Sequence, residues 1–247
     1  SGNISTLTPT VSWTGNGSWQ YEIEIWRNDG IWTEVTAGRR PVVTTTSWTV
    51  PSGWLSWGKE YNAYVKCADS AGNWGGNAAA RNFITSDTTS PTTPGTPNLA
   101  SADDTGSSST DNLTKNTSGL TFSWTASTDA QSGVAGYQWK LDSGGWSWIG
   151  NVLSVDIGAG EGTHTFYVQA KGNVGNYGNA SSLGFTVDTT APGGVQPSSP
   201  SGNTPTLTPA VTWTGNGSCQ YEIEIWRNDG IWTEVTSGQR PVVTATS

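Results

Sequence analysis

Residues 15–44 read GNGSWQYEIEIWRNDGIWTEVTAGRRPVVT, and residues 215–244 read GNGSCQYEIEIWRNDGIWTEVTSGQRPVVT. The wider segments 1–47 and 201–247 align without a gap and differ at eight positions, so 39 of their 47 residues are identical. A period of 200 residues is too long for a solenoid repeat and fits two successive domains of about 100 residues each. The repeating unit is therefore a pair of domains.

Polar and apolar residues alternate with a period of two inside the repeat. In YEIEIW, Tyr21, Ile23 and Ile25 fall on one face of a strand, and EYNAYVKCA (60–68) alternates in the same way. Similar short runs recur between turn clusters such as NDG and DSGG, and no segment of ten or more residues has a helical stripe. The sequence predicts an all-β chain of tandem immunoglobulin-like β-sandwiches, the last one incomplete.

Proline-rich stretches at 86–97 and 187–205 lack this periodicity and are predicted to be linkers. They divide the chain into a first module (residues 1–90), a second module (residues 91–192) and a third module (residues 193–247), which is the N-terminal part of a second copy of the first. The third module has no counterpart of the last three strands of the first. Two alternatives stay open: the chain is part of a longer one, or a strand donated by another subunit completes the module.

Two resemblances follow from these motifs. The first module resembles a fibronectin type III domain through VSW, with Trp13 in the core of an early strand, through EYNAYVKCADSAGN, with Tyr61 as a tyrosine corner, and through the last strand RNFIT. The second is similar to the bacterial Ig-like repeats of large secreted adhesins, through LASADDTGSSSTDNLT, GVAGYQWKLDSGGW, EGTHTFYVQAKGNVGN and VDTTAP. The resemblances imply an extracellular or cell-surface location, and they define function only weakly.

Charge and catalytic residues exclude several function classes. The formal net charge of −8 and the pI near 4.5 argue against binding to nucleic acid or an anionic membrane, and no stretch is long and apolar enough to span one. The single His, His164, lies in a predicted strand without a nucleophile or metal-ligand partner. Glu22 and Glu24 share a strand face, which a sheet surface explains better than a glycosidase dyad. The chain is predicted not to be an enzyme.

Calcium is the cofactor that the acidic loops suggest, because hard cations prefer several oxygen ligands and because Asp residues at the junctions of the adhesin repeats often hold calcium. Asp and Asn residues that stabilise their own turns are an equally good explanation. The candidate ligands are Asp69, Asn73, Asp87, Asp103, Asp104, Asp111 and Asp188.

Tryptophan is the other candidate functional residue, since the chain has 15 of them. Trp residues that point outward or lie in loops form a contact surface, either for stacking on a glycan or for packing against another protein. A protein contact is favoured, because a glycan site needs polar hydrogen-bonding groups in the same cleft, and sequence does not show one. The candidates are Trp26, Trp32, Trp54, Trp57 and Trp74.

The two cysteines, Cys67 and Cys219, are predicted not to form a disulfide within one chain. By parity, residue 19 and Cys67 point inward at neighbouring strand ends, so Trp19 is expected to pack near a free Cys67, and Cys219 would pair with a counterpart of Cys67.

Two functions remain. The first is a non-catalytic structural or adhesive segment, such as a stalk, surface fibre or filament, which contacts copies of itself or a cell-surface protein or glycan. The second is a set of spacer or carbohydrate-binding modules of a secreted polysaccharide-degrading enzyme. The near-identity of the two copies favours the first.

Overall fold

The structure, a computed structural model, describes residues 2–106, 108–202, 205–215 and 220–243. In this part of the chain every helix or strand is a β-strand, which confirms the all-β fold. None of the described residues lies in a helix that could cross a membrane. The strands of the first module are β1 (Gly2–Ile4), β2 (Thr10–Ser12), β3 (Gln20–Asn28), β4 (Trp32–Glu34), β5 (Val42–Val43), β6 (Ser47–Thr49), β7 (Glu60–Ala68) and β8 (Arg81–Thr85).

The larger sheet of the first module has the order β1-β8-β7-β3-β4, and β5 also pairs with β3. Its centre is the antiparallel pair β3 and β7, in register from Gln20 opposite Ala68 to Asn28 opposite Glu60. The predicted alternation is confirmed, because Ile23 and Ile25 on β3 and Tyr61 on β7 are fully buried. The opposite face of the same two strands carries the polar and aromatic residues.

The second layer of the first module is the antiparallel pair β2 and β6. Val11 of β2 and Trp48 of β6 pack against the buried cluster formed by Ile23, Ile25 and their neighbours. The predicted tyrosine corner is present: the Tyr61 hydroxyl accepts a hydrogen bond from the Ser56 amide (2.8 Å) and donates one to the Ser56 carbonyl. The module is therefore a two-layer sandwich.

The second module has the same construction around aromatic residues. Phe122 stacks on Phe166 with ring centroids 4.4 Å apart, and Trp124 lies edge-on to Tyr137 at 5.7 Å. Antiparallel partners flank β12 on both sides, β13 and β15. The strands are β9 (Asn98–Leu99), β10 (Leu113–Thr114), β11 (Leu120–Ser123), β12 (Val134–Leu141), β13 (Ser147–Gly150), β14 (Ser154–Ile157), β15 (Gly162–Gly172) and β16 (Ser181–Val187).

The described part of the third module repeats the local pairings of the first. Tyr221 lies opposite Val243 as Tyr21 lies opposite Val43, and Trp226 lies opposite Glu234 as Trp26 lies opposite Glu34. Its strands are β17 (Pro197–Ser199), β18 (Thr212–Trp213), β19 (Tyr221–Glu222), β20 (Trp226–Asn228), β21 (Trp232–Glu234) and β22 (Val242–Val243).

The two predicted linkers differ in the structure. Residues 86–97 contain no strand, whereas the predicted linker 187–205 contains β17 and the last residue of β16, Val187. Proline is tolerated at the first position of a strand, where Pro197 stands.

The chain packs as two compact units, one of Ser1–Ala100, Thr121–Ile157 and His164–Gly184, and one of Ser101–Leu120, Gly158–Thr163 and Phe185–Ser247. The module boundaries at residues 90 and 192 stay a prediction.

Candidate functional site: an aromatic depression on the first module

Two of the five candidate tryptophans meet on the outward face of the first module. Trp26 on β3 lies opposite Glu34 on β4 and opposite Asn62 on β7. Trp32 on β4 lies opposite Asn28, the next outward position along β3. Directly paired residues of antiparallel strands share a face, so β4, β3 and β7 together present these aromatic and amide side chains to one side.

These strands and the segment after β7 enclose a shallow depression of about 410 Å³. Three aromatic side chains form part of its wall, and three polar side chains form the rest. Its lining residues are Trp26, Trp32, Tyr64, Glu24, Asn62 and Asn77.

Glu24 fixes the positions of the groups around it, although it is only 5% exposed. Its Oε2 accepts hydrogen bonds from Trp26 Nε1 (3.2 Å) and from Asn77 Nδ2 (3.3 Å). Its Oε1 lies 2.8 Å from Arg40 Nη1. A buried carboxylate is stable only when its charge is paired and its oxygens are hydrogen-bonded, and both conditions hold here. Glu24 therefore holds one tryptophan and one amide of the depression in place.

Arg40 is the cation of a network that supports this wall. Its guanidinium donates to both oxygens of Glu34, from Nε at 2.7 Å and from Nη2 at 2.8 Å, and Nη1 also contacts Glu22 and Glu24. The hydrogen bond from Arg40 holds the pKa of Glu34 below its ordinary value, against the opposing effect of burial. The hydrogen bond to Glu34 in turn raises the pKa of Arg40.

Arg40→Gln is expected to destabilise the first module by about 1 to 3 kcal/mol at pH 7, because it leaves the Glu24 carboxylate buried without its cation. The effect is less than for a fully buried pair, since Arg40 is partly exposed. Glu34 has a lowered pKa in the folded state, so its contribution is complete above the ordinary carboxyl pKa and is lost as the pH falls through the lowered value. The deficit of Arg40→Gln should therefore shrink in acid, as urea unfolding at pH 7 and at about pH 3 would measure.

Arg240→Gln is the matched control, because Arg240 makes the same contacts with Glu222, Glu224 and Glu234 at nearly the same distances. The Glu224 side chain is 42% exposed, so loss of this cation should lower the free energy of unfolding less than Arg40→Gln does. An equal fall in the free energy of unfolding for Arg40→Gln and Arg240→Gln would contradict a role for the burial of Glu24.

The other three candidate tryptophans lie elsewhere. Trp54 does not point outward as expected: it packs against the hydrophobic cluster, 5.6 Å from Trp48, with the Arg39 guanidinium 4.0 Å above its ring. Trp57 is half-buried, and Trp74 is exposed beside Lys66. Trp54 differs from the expectation because the 51–58 loop folds back on the core, which periodicity does not reveal.

Sequence reasoning missed Asn62, Tyr64 and Asn77. The first two had a usable signal, because they alternate with the inward residues Tyr61 and Ala63 on β7 and so must face outward beside Trp26 and Glu24. Asn77 follows the strand in a stretch without periodicity, and only the hydrogen bond to Glu24 reveals its place.

The predicted calcium ligands do not form one site. Asp69 holds its own turn, with Oδ1 accepting from the amides of Ala71 and Asn73 and Oδ2 from Asn73 Nδ2. Similar turn bonds are made by Asp87 to Thr89, by Asp111 to Leu113 and by Asp188 to Thr190. Among the described residues no three His, Cys, Asp or Glu side chains converge in an arrangement suited to a metal.

The loop that contains Asp103 and Asp104 is the place that best fits a cation. Asp104 is buried, its Oδ2 accepts from the Asn112 amide at 3.0 Å, and its Oδ1 has no hydrogen-bond partner among the described residues. An unpaired buried carboxylate oxygen suits a hard cation. Calcium binding in this loop stays a prediction.

The expectation for Trp19 is wrong. Its side chain is 56% exposed, and the Cys67 sulfur accepts a hydrogen bond from Asn16 Nδ2 (3.5 Å). Residue 19 precedes β3, so strand parity does not extend to it. Cys67 is free; hydrogen bonds from Ser18 and Asn16 lower the pKa of its thiol. Cys219 lies outside the described residues, so the predicted absence of a disulfide stays a prediction.

His164 lies in β15 and pairs with Asp142 at 2.8 Å.

Comparison with known proteins agrees with this fold. Residues 90–189 match the family model of the bacterial Ig-like domain, which accounts for most of the second module. The second module is thus similar to the bacterial Ig-like domain, as the resemblance implied, and the described part of the chain has the all-β fold of tandem β-sandwich modules.

Particular relatives are more distant. The chain is 34% identical to chitinase A1 of Niallia circulans over 168 residues, which is 63% of this chain and 22% of the chitinase. The fibronectin(III)-like modules of Clostridium thermocellum CbhA superpose with a TM-score of 0.32 at 14% identity, over 75% of this chain and 87% of theirs. The chicken CNTN1 FN1-FN3 domains give a TM-score of 0.34 at 17% identity, over 75% of this chain and 64% of theirs.

Proposed function

We propose that this chain is a non-catalytic, extracellular segment whose first module binds a polysaccharide, as an accessory region of a polysaccharide-degrading protein. The observation that carries the proposal is the depression in which Trp26, Trp32 and Tyr64 stand beside Glu24, Asn62 and Asn77. Aromatic faces provide apolar area for the C–H face of a sugar ring, and amide and carboxylate groups provide hydrogen bonds for its hydroxyls.

The depression also reverses the preference drawn from the sequence. A protein contact was favoured there because no cleft was visible that combined aromatic and polar groups. The structure has such a cleft, and its polar groups are positioned by Glu24. The relative named as a chitinase supports a polysaccharide as the ligand. Ig-like and fibronectin III modules are typically non-catalytic, which supports an accessory role rather than hydrolysis.

The test is retention of the purified chain on insoluble chitin and on insoluble cellulose, with the unbound fraction measured against protein concentration. Saturable retention on either polymer supports the proposal. If neither polymer retains the chain at concentrations up to about 1 mM, any interaction is too weak to serve as a binding function, and the proposal is wrong.

Self-association is the second candidate, and one observation favours it. In the third module the Ile225 side chain is 46% exposed, although its counterpart Ile25 is fully buried, so an apolar side chain is open to solvent among the described residues. Exposed apolar surface can be covered by contact with another chain. A fibre or oligomer completed by strand donation should appear as concentration-dependent assembly in sedimentation velocity, and a monodisperse monomer would remove this candidate.

A further inference from the structure

A second exposed aromatic surface lies on the second module, on strands β12, β13 and β15. Residues 91–192 contain eight Asp and Glu residues but only three Lys and no Arg. None of the eight acidic residues lies in these three strands, whereas two of the three lysines do. This face is therefore the basic part of an acidic module.

Both lysines lie between aromatic rings. Lys140 Nζ is 4.7 Å from the centroid of Tyr167 and 5.3 Å from that of Trp146. These distances lie within the range of cation–π attraction, so the ammonium is held at the surface by the rings.

Lys171 repeats the arrangement on the neighbouring part of the face. Its Nζ lies 5.5 Å from the Trp148 centroid and 5.4 Å from the Tyr177 centroid. Trp148 is 51% exposed, and Trp146 and Tyr177 are exposed as well. Neither Lys140 nor Lys171 forms an ion pair with a carboxylate among the described residues. The lysines that do form ion pairs there are Lys59 and Lys66.

The carboxylate nearest to Lys140 in the sequence belongs to Asp142, which directly follows β12. Its Oδ2 is held by His164 Nδ1 at 2.8 Å, and its Oδ1 accepts from the Thr165 amide at 2.7 Å. These bonds lower the pKa of Asp142, first through His164 and then through Thr165. The negative charge of Asp142 is thereby engaged away from the two lysines, which keep their positive charge available for a ligand.

The register places the two cations at a defined spacing. Lys171 lies opposite Gly136, four residues before Lys140 on β12, so their backbone positions are about 14 Å apart at the usual rise per strand residue. Between them, Trp148, Gln138 and Gln169 form one row across β13, β12 and β15. The face thus carries positive charge, aromatic rings and amides in succession along the sheet.

We infer that this face binds an anionic polysaccharide, one whose sugar units carry carboxylate or sulfate groups. Two separated lysines match charges spaced along a sugar polymer, and the rings and amides match the sugar units between them. A densely charged nucleic acid would need many more cations, and the chain as a whole is negative. A neutral glycan would leave both ammonium groups unpaired. This site is independent of the depression on the first module.

The experiment measures binding of the whole chain to polygalacturonate and to chondroitin sulfate by isothermal titration calorimetry, with neutral dextran as the reference polymer. Binding to at least one anionic polymer and none to dextran is expected. Lys140→Gln/Lys171→Gln should weaken that binding about 30-fold, since each cation near an anionic surface contributes about a tenfold or smaller factor. Raising the salt concentration from 50 to about 300 mM should weaken binding by the wild type more than by the variant.

Lys115→Gln is the matched control, because it removes the third lysine of the module, which lies outside these three strands. It should leave binding unchanged, and Lys140→Arg/Lys171→Arg should largely retain it. Thermal unfolding of each variant checks that the sandwich is intact. The inference is overturned if neither anionic polymer binds, if dextran binds equally well, or if Lys115→Gln weakens binding as much as the double variant.

Discussion

Trp26→Ala/Trp32→Ala is expected to abolish retention of the chain on the insoluble polysaccharide that it binds, chitin or cellulose. Truncating a central tryptophan of a binding surface typically costs 2 kcal/mol or more, which is about 30-fold in affinity for each residue. Both rings line the depression, and Trp26 also donates the hydrogen bond that ties it to Glu24. Retention is measured as the bound fraction at several protein concentrations, and thermal unfolding confirms that the first module is folded.

Trp226→Ala/Trp232→Ala is the matched control for this prediction. These two residues occupy the same local positions, with Trp226 opposite Glu234 and Trp232 opposite Asn228. Among the described residues of the third module, however, no strand corresponds to β7 and so no counterparts of Asn62 and Tyr64 stand beside them. Retention should be preserved. Equal losses in the two double variants would show that exposed tryptophan alone causes adsorption and would remove the depression as the site.

Ile25→Ala is expected to lower the free energy of unfolding of the first module by about 2 to 5 kcal/mol, the usual result of truncating a fully buried isoleucine. Ile25 is 0% exposed and packs in the cluster with Tyr61 and Phe83. For a module of this size, each kcal/mol corresponds to a fall of roughly 4 to 8 °C in melting temperature. Differential scanning calorimetry would show the shift.

Ile225→Ala makes the same chemical change in the same sequence, EIEIWRNDG. Because the Ile225 side chain is 46% exposed, its truncation removes little buried apolar area. The free energy of unfolding should therefore fall by less than about 1 kcal/mol. The difference between the two variants in the loss of unfolding free energy measures the effect of burial, because the change in intrinsic strand propensity is the same in both. A loss at Ile225 as large as that at Ile25 would mean that the third module is packed in solution, which is the outcome that strand donation predicts.

Local alternation predicted the fold of this chain well. The inward set Tyr21, Ile23 and Ile25 follows from side chains that alternate across a strand. The tyrosine corner of Tyr61 is what the resemblance to a fibronectin type III domain implied. The candidate site was predicted in part. Trp26 and Trp32 were identified, but Trp54 was assigned to the surface although it packs on the core. Two of the three polar residues of the depression, Asn62 and Asn77, come from β7 and from the segment after it, 36 and 51 residues from Trp26 in the chain. The pairing that brings them beside Trp26 across that distance has no local signal.

The two copies of the repeat separate what sequence determined from what tertiary structure decided. The sequence by itself determined the register of Tyr21 with Val43 and of Tyr221 with Val243, and the contacts of Arg40 and of Arg240 with three glutamates each. These interactions join residues at most about 20 positions apart, so both copies form them.

Among the described residues, the tertiary contacts decide whether the isoleucine of EIEIWRNDG is buried, as Ile25 is, or exposed, as Ile225 is. In the first module β7 pairs along the whole of β3, so the strand is continuous from Gln20 to Asn28 and Ile25 and Glu24 are buried. In the third module the described strands leave that edge unpaired, and the same sequence forms two short strands, Tyr221–Glu222 and Trp226–Asn228, between which Glu224 and Ile225 are exposed. Burial depends on what packs against a strand, and an identical sequence does not supply its own partner.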